Sequence, residues 1–187
     1  MLHPDLERLL MAVDVVEADA RNLVQVLSDE QGNWQPNGGV GWSVAQCLDH
    51  LARINVFYVG HFVPFLEQAQ REGKGPFAGL HPTWFGRTFL KILEPPVRQR
   101  VKAPANVAPC TTIPLAEALG DYLASHEPYR AMLRLANDVD VDRVIAPNPF
   151  FKTFQIRAST ALQVIPAHDR RHLWQARRVL QAPGFPA

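Results

Sequence analysis

From Pro4 to Ser28 the apolar residues Leu6, Leu9, Leu10, Val13, Val16, Ala20, Leu23 and Leu27 return every third or fourth position, the period of a helix that buries one face. A second stripe runs through Ala45, Leu48, Leu51, Ala52, Asn55, Val56, Val59, Phe62 and Val63. Its start is marked by Ser43 and Gln46, which form a Ser-x-x-Gln capping box, with Trp42 placed to staple onto Cys47. A third stripe begins near Thr112, tolerates Pro114 in its first turn, and continues through Leu119, Tyr122, Met132 and Leu135; Pro128 should kink or split it. The fourth runs from about Thr153 to Gln181 with Ala158, Leu162, Ile165, Ala176, Val179 and Leu180 on one face. Pro166 lies inside that last helix, where it frees the carbonyl of Leu162 and bends the axis. No segment alternates with the two-residue period of a strand, so none is expected.

Between the first two helices, Gln31 to Gly41 is rich in Gly, Asn and Pro and reads as a loop that Trp34 packs down. Between the second and third, residues 71–112 carry Pro76, Pro82, Pro95, Pro96, Pro104 and Pro109 around one short apolar segment, Thr83 to Leu93. This is a long proline-rich crossover with one short helix. Four long amphipathic segments joined in this way predict an all-α fold, a four-helix bundle, with residues 1–187 forming a single domain.

Composition narrows the function. The 187 residues are 47% hydrophobic, and 19 Lys plus Arg against 18 Asp plus Glu leave a formal charge of +1. So balanced a chain has no basic field to draw in nucleic acid or an anionic membrane, and neither partner is expected. Arg98, Arg100 and Lys102 form a short basic run without interleaved aromatics, which reads as solvated surface. The chain lacks a signal-like start and any run of eighteen apolar residues, so a cytoplasmic location is expected. Cys47 and Cys110 are then free thiols, with Cys47 a small buried hydrophobe at the staple.

The candidate chemistry lies in Pro166-Ala167-His168-Asp169-Arg170-Arg171-His172-Leu173-Trp174-Gln175. His168 and His172 are four apart, so on a helix both imidazoles face one point and can share a metal ion. A third ligand must come from elsewhere. His3 sits at a fraying end, His81 in a loop that nothing aims, and His61 three turns along the second helix. His50 lies in the second to third turn of that helix, where a side chain can face the bundle interior. Bundles build metal sites from facing helices, which makes His50, His168 and His172 the natural trio. Asp49 and Asp169 neighbour these residues in sequence and are either solvated or partners of the ligands.

Trp34, the segment Gly41-Trp42-Ser43-Val44-Ala45-Gln46-Cys47-Leu48-Asp49-His50-Leu51, and the segment from His168 to Gln175 together resemble the two motifs of the DinB/YfiT-like superfamily of bacterial metalloenzymes. The resemblance implies that the metal histidine of the second helix falls on His50 and the paired histidines of the last helix on His168 and His172. Three neutral imidazoles leave a divalent metal an open position, the mark of a catalytic rather than a closed structural site. Imidazole suits several metals, with zinc or nickel first. Some members of the superfamily transfer a low-molecular-weight thiol such as bacillithiol, mycothiol or glutathione. The resemblance therefore implies a metal-dependent enzyme of the thiol-transferase type acting on a small-molecule substrate. A metal-dependent hydrolase, or a non-catalytic metal-stabilised ligand-binding bundle, fits the same residues, and a homodimer built on helix faces is compatible with any of them.

Overall fold

The computed structural model describes residues 1–97, 102–151 and 153–187, so Arg98 and Arg100 of the basic run lie outside the described residues. The first helix, α1 (Pro4–Val24), opens with Pro4 in its first turn and His3 accepting from the Asp5 amide. It stops four residues short of Ser28. The reason is that Ser28 caps a separate short helix, α2 (Asp29–Asn33), through a complete capping box with Gln31. A single turn, α3 (Pro36–Gly39), follows, with Asn37 and Gly38 both at positive φ. Then comes α4 (Val44–Arg71), started by the expected Ser43–Gln46 capping box with both hydrogen bonds present.

In the crossover, α5 (Trp84–Leu93) is capped by Thr83. It crosses the last helix at Gly86, where a Cβ would stand 2.3 Å from Oγ1 of Thr160, so only glycine allows the approach. The third long element is split into α6 (Leu115–Ala124) and α7 (His126–Ala136). The break falls at Ser125, three residues before Pro128, which sits in the first turn of α7 where its missing N–H breaks no bond.

The expectation of no strands needs correction. β1 (Ile145–Pro147) pairs antiparallel with β2 (Gln155–Arg157), Ala146 opposite Ile156, and the last helix, α8 (Ala158–Leu180), therefore starts at Ala158 rather than near Thr153. Three-residue strands are too short for alternation to register, and these two exist because their inward residues Ala146 and Ile156 join the core.

Helices α1, α4, the α6–α7 pair and α8 form a four-helix bundle. Its core is two clusters. One gathers Leu6, Tyr58, Phe62, Tyr129, Leu133 and Leu162, and the other Val16, Leu48, Leu51, Tyr122, Leu173 and Val179. Each of the Leu, Val and Phe side chains among them contributes about 1.5–3 kcal/mol on burial. Between the clusters runs a buried polar layer: Asn55 on α4, Ser125 and His126 at the α6–α7 break, and Asp169 on α8. Pro166 lies inside α8 just before this layer, where a proline tends to bend the axis, and the Leu162 carbonyl it frees accepts a hydrogen bond from the Tyr129 hydroxyl at 2.5 Å. Among the described residues no helix is long and apolar enough to cross a membrane.

Candidate metal centre

The capping box at Ser43 phases α4 so that His50, 2% exposed, faces α8, which carries His168 and His172 one turn apart. The facing nitrogens of His168 and His172, both Nε2, are 3.2 Å apart. Two imidazoles bound tetrahedrally at about 2.0–2.1 Å would hold their nitrogens roughly 3.3 Å apart, so the pair is already at ligand spacing. All three rings come together: one nitrogen of each lies within 4.8 Å of the other two. Among the described residues this trio is the group of His, Cys, Asp or Glu side chains gathered closely enough to hold an ion.

The donor set fits a divalent metal. The Val107 carbonyl is 2.6 Å from Nδ1 of His50 and can only accept, so that nitrogen carries the proton and Nε2 keeps its lone pair. Burial holds the pKa values of His168 and His172 well below the usual imidazole range, reinforced by the neighbouring histidines and Arg171. Burial also lowers His50, against smaller opposing effects of Val107 and Asp49. All three rings are therefore neutral near pH 7 and ready to coordinate. Gln175 opposes the shift at His172 through a hydrogen bond, yet no described group stands in good geometry at the buried Nδ1 of that ring. Trp42 packs on two of the three rings, with its indole stacked on His172 at 5.6 Å between centroids and tilted against His50 at 4.8 Å.

The crossover is strapped onto the first turns of α4 beside the site. Gln46 donates to the carbonyls of Cys110 and Thr111, both at 3.0 Å. Asp49 accepts from the Cys110 amide at 2.6 Å and from Nε of Arg53 at 2.8 Å. Asp169, fully buried, accepts from His126 at 2.9 Å and from Asn55 at 3.3 Å, while the other His126 nitrogen meets Glu17 at 3.0 Å. Both carboxylates beside the trio in sequence thus spend their hydrogen bonds on the scaffold, and neither is solvated. Asn55, assigned to the apolar stripe by its spacing, belongs to this polar layer. Cys47 is fully buried, with burial pushing its thiol far up, as a staple partner should be.

The other histidines are engaged elsewhere: His3 at the α1 cap, His61 on the Pro147 carbonyl at 2.8 Å, and His81 on Asp142 at 2.7 Å. His126 is one of the five further histidines open as a third ligand, but its partners, like those of Val107, escaped the sequence reading, since no spacing rule joins either residue to them. Arg171 escaped too, although it had a signal. It stands three residues after His168, on the helix face that the pairing argument already picked out.

The trio lines a cavity of about 1180 Å³. Lys102, Arg171 and Arg178 line it as well, and among its described residues there is no Asp or Glu.

A family model of the DinB superfamily matches residues 12–176. No curated protein matches the chain. A solved structure, described as "YfiT from Bacillus subtilis is a probable metal-dependent hydrolase with an unusual four-helix bundle topology", is similar in fold, with a TM-score of 0.59 at 17% identity over 97% of this chain and 89% of that one.

Proposed function

The chain belongs to the DinB superfamily, and on that premise we propose that His50, His168 and His172 hold one divalent metal, zinc or nickel first, in an enzyme of the thiol-transferase type acting on a small molecule. The observation that carries this is the convergence of three imidazoles, His50 and His172 buried and His168 half-buried, in the wall of a large cavity. Bound there, a divalent ion would supply Lewis-acid polarisation and would lower the pKa of a thiol or water.

The residues of the chain do the rest. Val107 selects the His50 tautomer, burial keeps His168 and His172 uncharged, and Trp42 shields two of the three rings from water. Transfer of a thiol is preferred to hydrolysis because no carboxylate lines the described cavity. Hydrolysis needs a group to take a proton from water and return one to the leaving group. A thiol, whose ordinary pKa of about 8.5 already lies close to neutrality, would lose its proton to solvent beside such an ion and needs no such base. The hydrolase reading is kept second, on the description of YfiT.

Cobalt loaded into a Cys47→Ala, Cys110→Ala variant tests the choice, since a thiolate on cobalt gives intense charge-transfer absorption that imidazole and water do not. A new band with millimolar glutathione or a simple dithiol, lost in His168→Ala, is the expected result. A spectrum that thiols leave unchanged removes the transferase reading and leaves hydrolysis or a non-catalytic bundle.

A further inference from the structure

Over the whole chain acidic and basic residues nearly cancel, yet the cavity beside the trio does not share that balance: Lys102, Arg171 and Arg178 line it and no described Asp or Glu does. The three cations differ in kind. Lys102 is exposed. Arg178 lies over the ring of Trp174, with its guanidinium carbon 5.0 Å from the centroid. Arg171 is only 9% exposed and donates from Nη1 to the Ile92 carbonyl at 3.1 Å, so its guanidinium is held in place. It also sits between the two histidines of α8, three residues after His168 and one before His172.

A planar guanidinium fixed in this way keeps a positive charge at a set place in the cavity wall, which suits the recognition of an oxyanion. In this largely buried setting an oxyanion brought in by a ligand is attracted more strongly than it would be in open water. Arg178, seven residues on, stands roughly 10 Å further along the same helix at 1.5 Å per residue, and extends the positive wall toward the cavity mouth. Away from this ridge much of the wall is apolar, with Phe89, Ile92 and Leu93 from α5, Val164 and Ile165 from α8, and Phe150 from the β1–β2 loop, interrupted by neutral amides such as Asn55 and Asn148. The volume exceeds the roughly 300–1,000 Å³ of ordinary ligand pockets, so a body of many carbons fits.

We infer that the substrate is an anionic amphiphile, a small molecule whose carboxylate or phosphate is held by Arg171 while its apolar body lies between α5 and α8. Arg171 is thus a specificity-determining residue. The inference rests on the metal-centre reading only for where the reaction occurs; binding of the anion by Arg171 does not require the ion.

Trp42 and Trp174 both line the cavity, so their fluorescence reports occupancy. The probes are octanoate, octyl phosphate, octanol and octylamine, titrated into metal-loaded and chelator-treated protein. At least one anion is expected to bind about tenfold or more tighter than octanol, the range of one hydrogen bond to a charged group. Octylamine is expected to bind weakest. Whichever anion binds tighter identifies the oxyanion. Arg171→Gln should abolish the preference, and Arg178→Gln, at the cavity mouth, should only reduce it.

Octanol binding as well as both anions overturns the inference, and that comparison needs only the unaltered protein. Anion binding seen solely in the metal-loaded form also overturns it, because the anion would then sit on the ion. A protein that takes up no metal but still prefers the anions keeps this inference and loses the metal centre. One that binds metal without preferring anions does the reverse.

Discussion

The carbonyl of Val107 lies 2.6 Å from Nδ1 of His50, so a backbone atom of the proline-rich crossover determines which nitrogen of a candidate ligand faces the site. The crossover is thereby part of the centre rather than a tether. Gln46 and Asp49, on the first turns of α4, hold it there through the backbone of Cys110 and Thr111.

Purified protein is expected to carry about one divalent ion per chain, the number a single three-histidine site holds. Elemental analysis should find the metal lost in His172→Ala and retained in His61→Ala, whose ring is engaged by the Pro147 carbonyl. Metal that depends on His61 and survives His50→Ala would refute the ligand set.

Stability should depend on pH with a definite sign. His168 and His172 have pKa values held well below the ordinary imidazole range and His50 a lowered one, all chiefly by burial. The unfolded chain therefore binds protons near pH 6.5 that the folded chain refuses, and stability present above about pH 6.5 is lost as the pH falls toward the folded values. Bound metal adds to the same trend, since protons compete for its ligands. Thermal melts of chelator-treated protein should show a midpoint falling between about pH 6.5 and 5, with a shallower slope in a His168→Ala, His172→Ala variant. An equal slope in that variant would assign the effect to other groups.

Asp49→Ala removes the acceptor that holds the Cys110 amide and leaves Arg53 without its carboxylate. We expect a loss of about 1–3 kcal/mol in denaturant unfolding, the cost of an unmatched buried donor. Metal affinity should fall by about tenfold or more, because the Val107 carbonyl is no longer held against His50. Arg53→Ala, which deletes the half-exposed partner and its contact to the Cys110 sulfur but leaves the Cys110 amide on Asp49, should cost less on both counts. Unchanged metal affinity in Asp49→Ala would mean that Val107 is held by other contacts.

Tyr129→Phe deletes the donor to the Leu162 carbonyl that Pro166 leaves free. An expected loss of about 1–3 kcal/mol, with metal content unchanged, would show a stabilising role confined to the bend. A fall in metal content instead would show that the bend sets the positions of His168 and His172.

Much of the fold was legible because local chemistry and burial agreed. Ser43 and Gln46 mark the start of α4 by groups that bond within one turn, and the 3.6-residue recurrence of Leu48, Leu51 and Val59 reports a face that any partner would bury. The spacing of His168 and His172 is likewise a property of one helix, and Pro166 announces a free carbonyl four residues earlier. The tertiary structure decided what depends on contacts between distant segments. The donor for that carbonyl is Tyr129, on a helix 33 residues away. The acceptor for His50 is a backbone atom 57 residues away, and a backbone carbonyl has no side-chain identity for a sequence to display. Asp49 and Asp169, adjacent to the trio in sequence, turn away from it because helix geometry sends consecutive side chains about 100° apart, toward the crossover in one case and His126 in the other. The strands β1 and β2 exist only because Ala146 and Ile156 find the same core. The positive wall of the cavity exists only because α5, α8 and the crossover enclose one space, which Lys102, Arg171 and Arg178 line and no described Asp or Glu does.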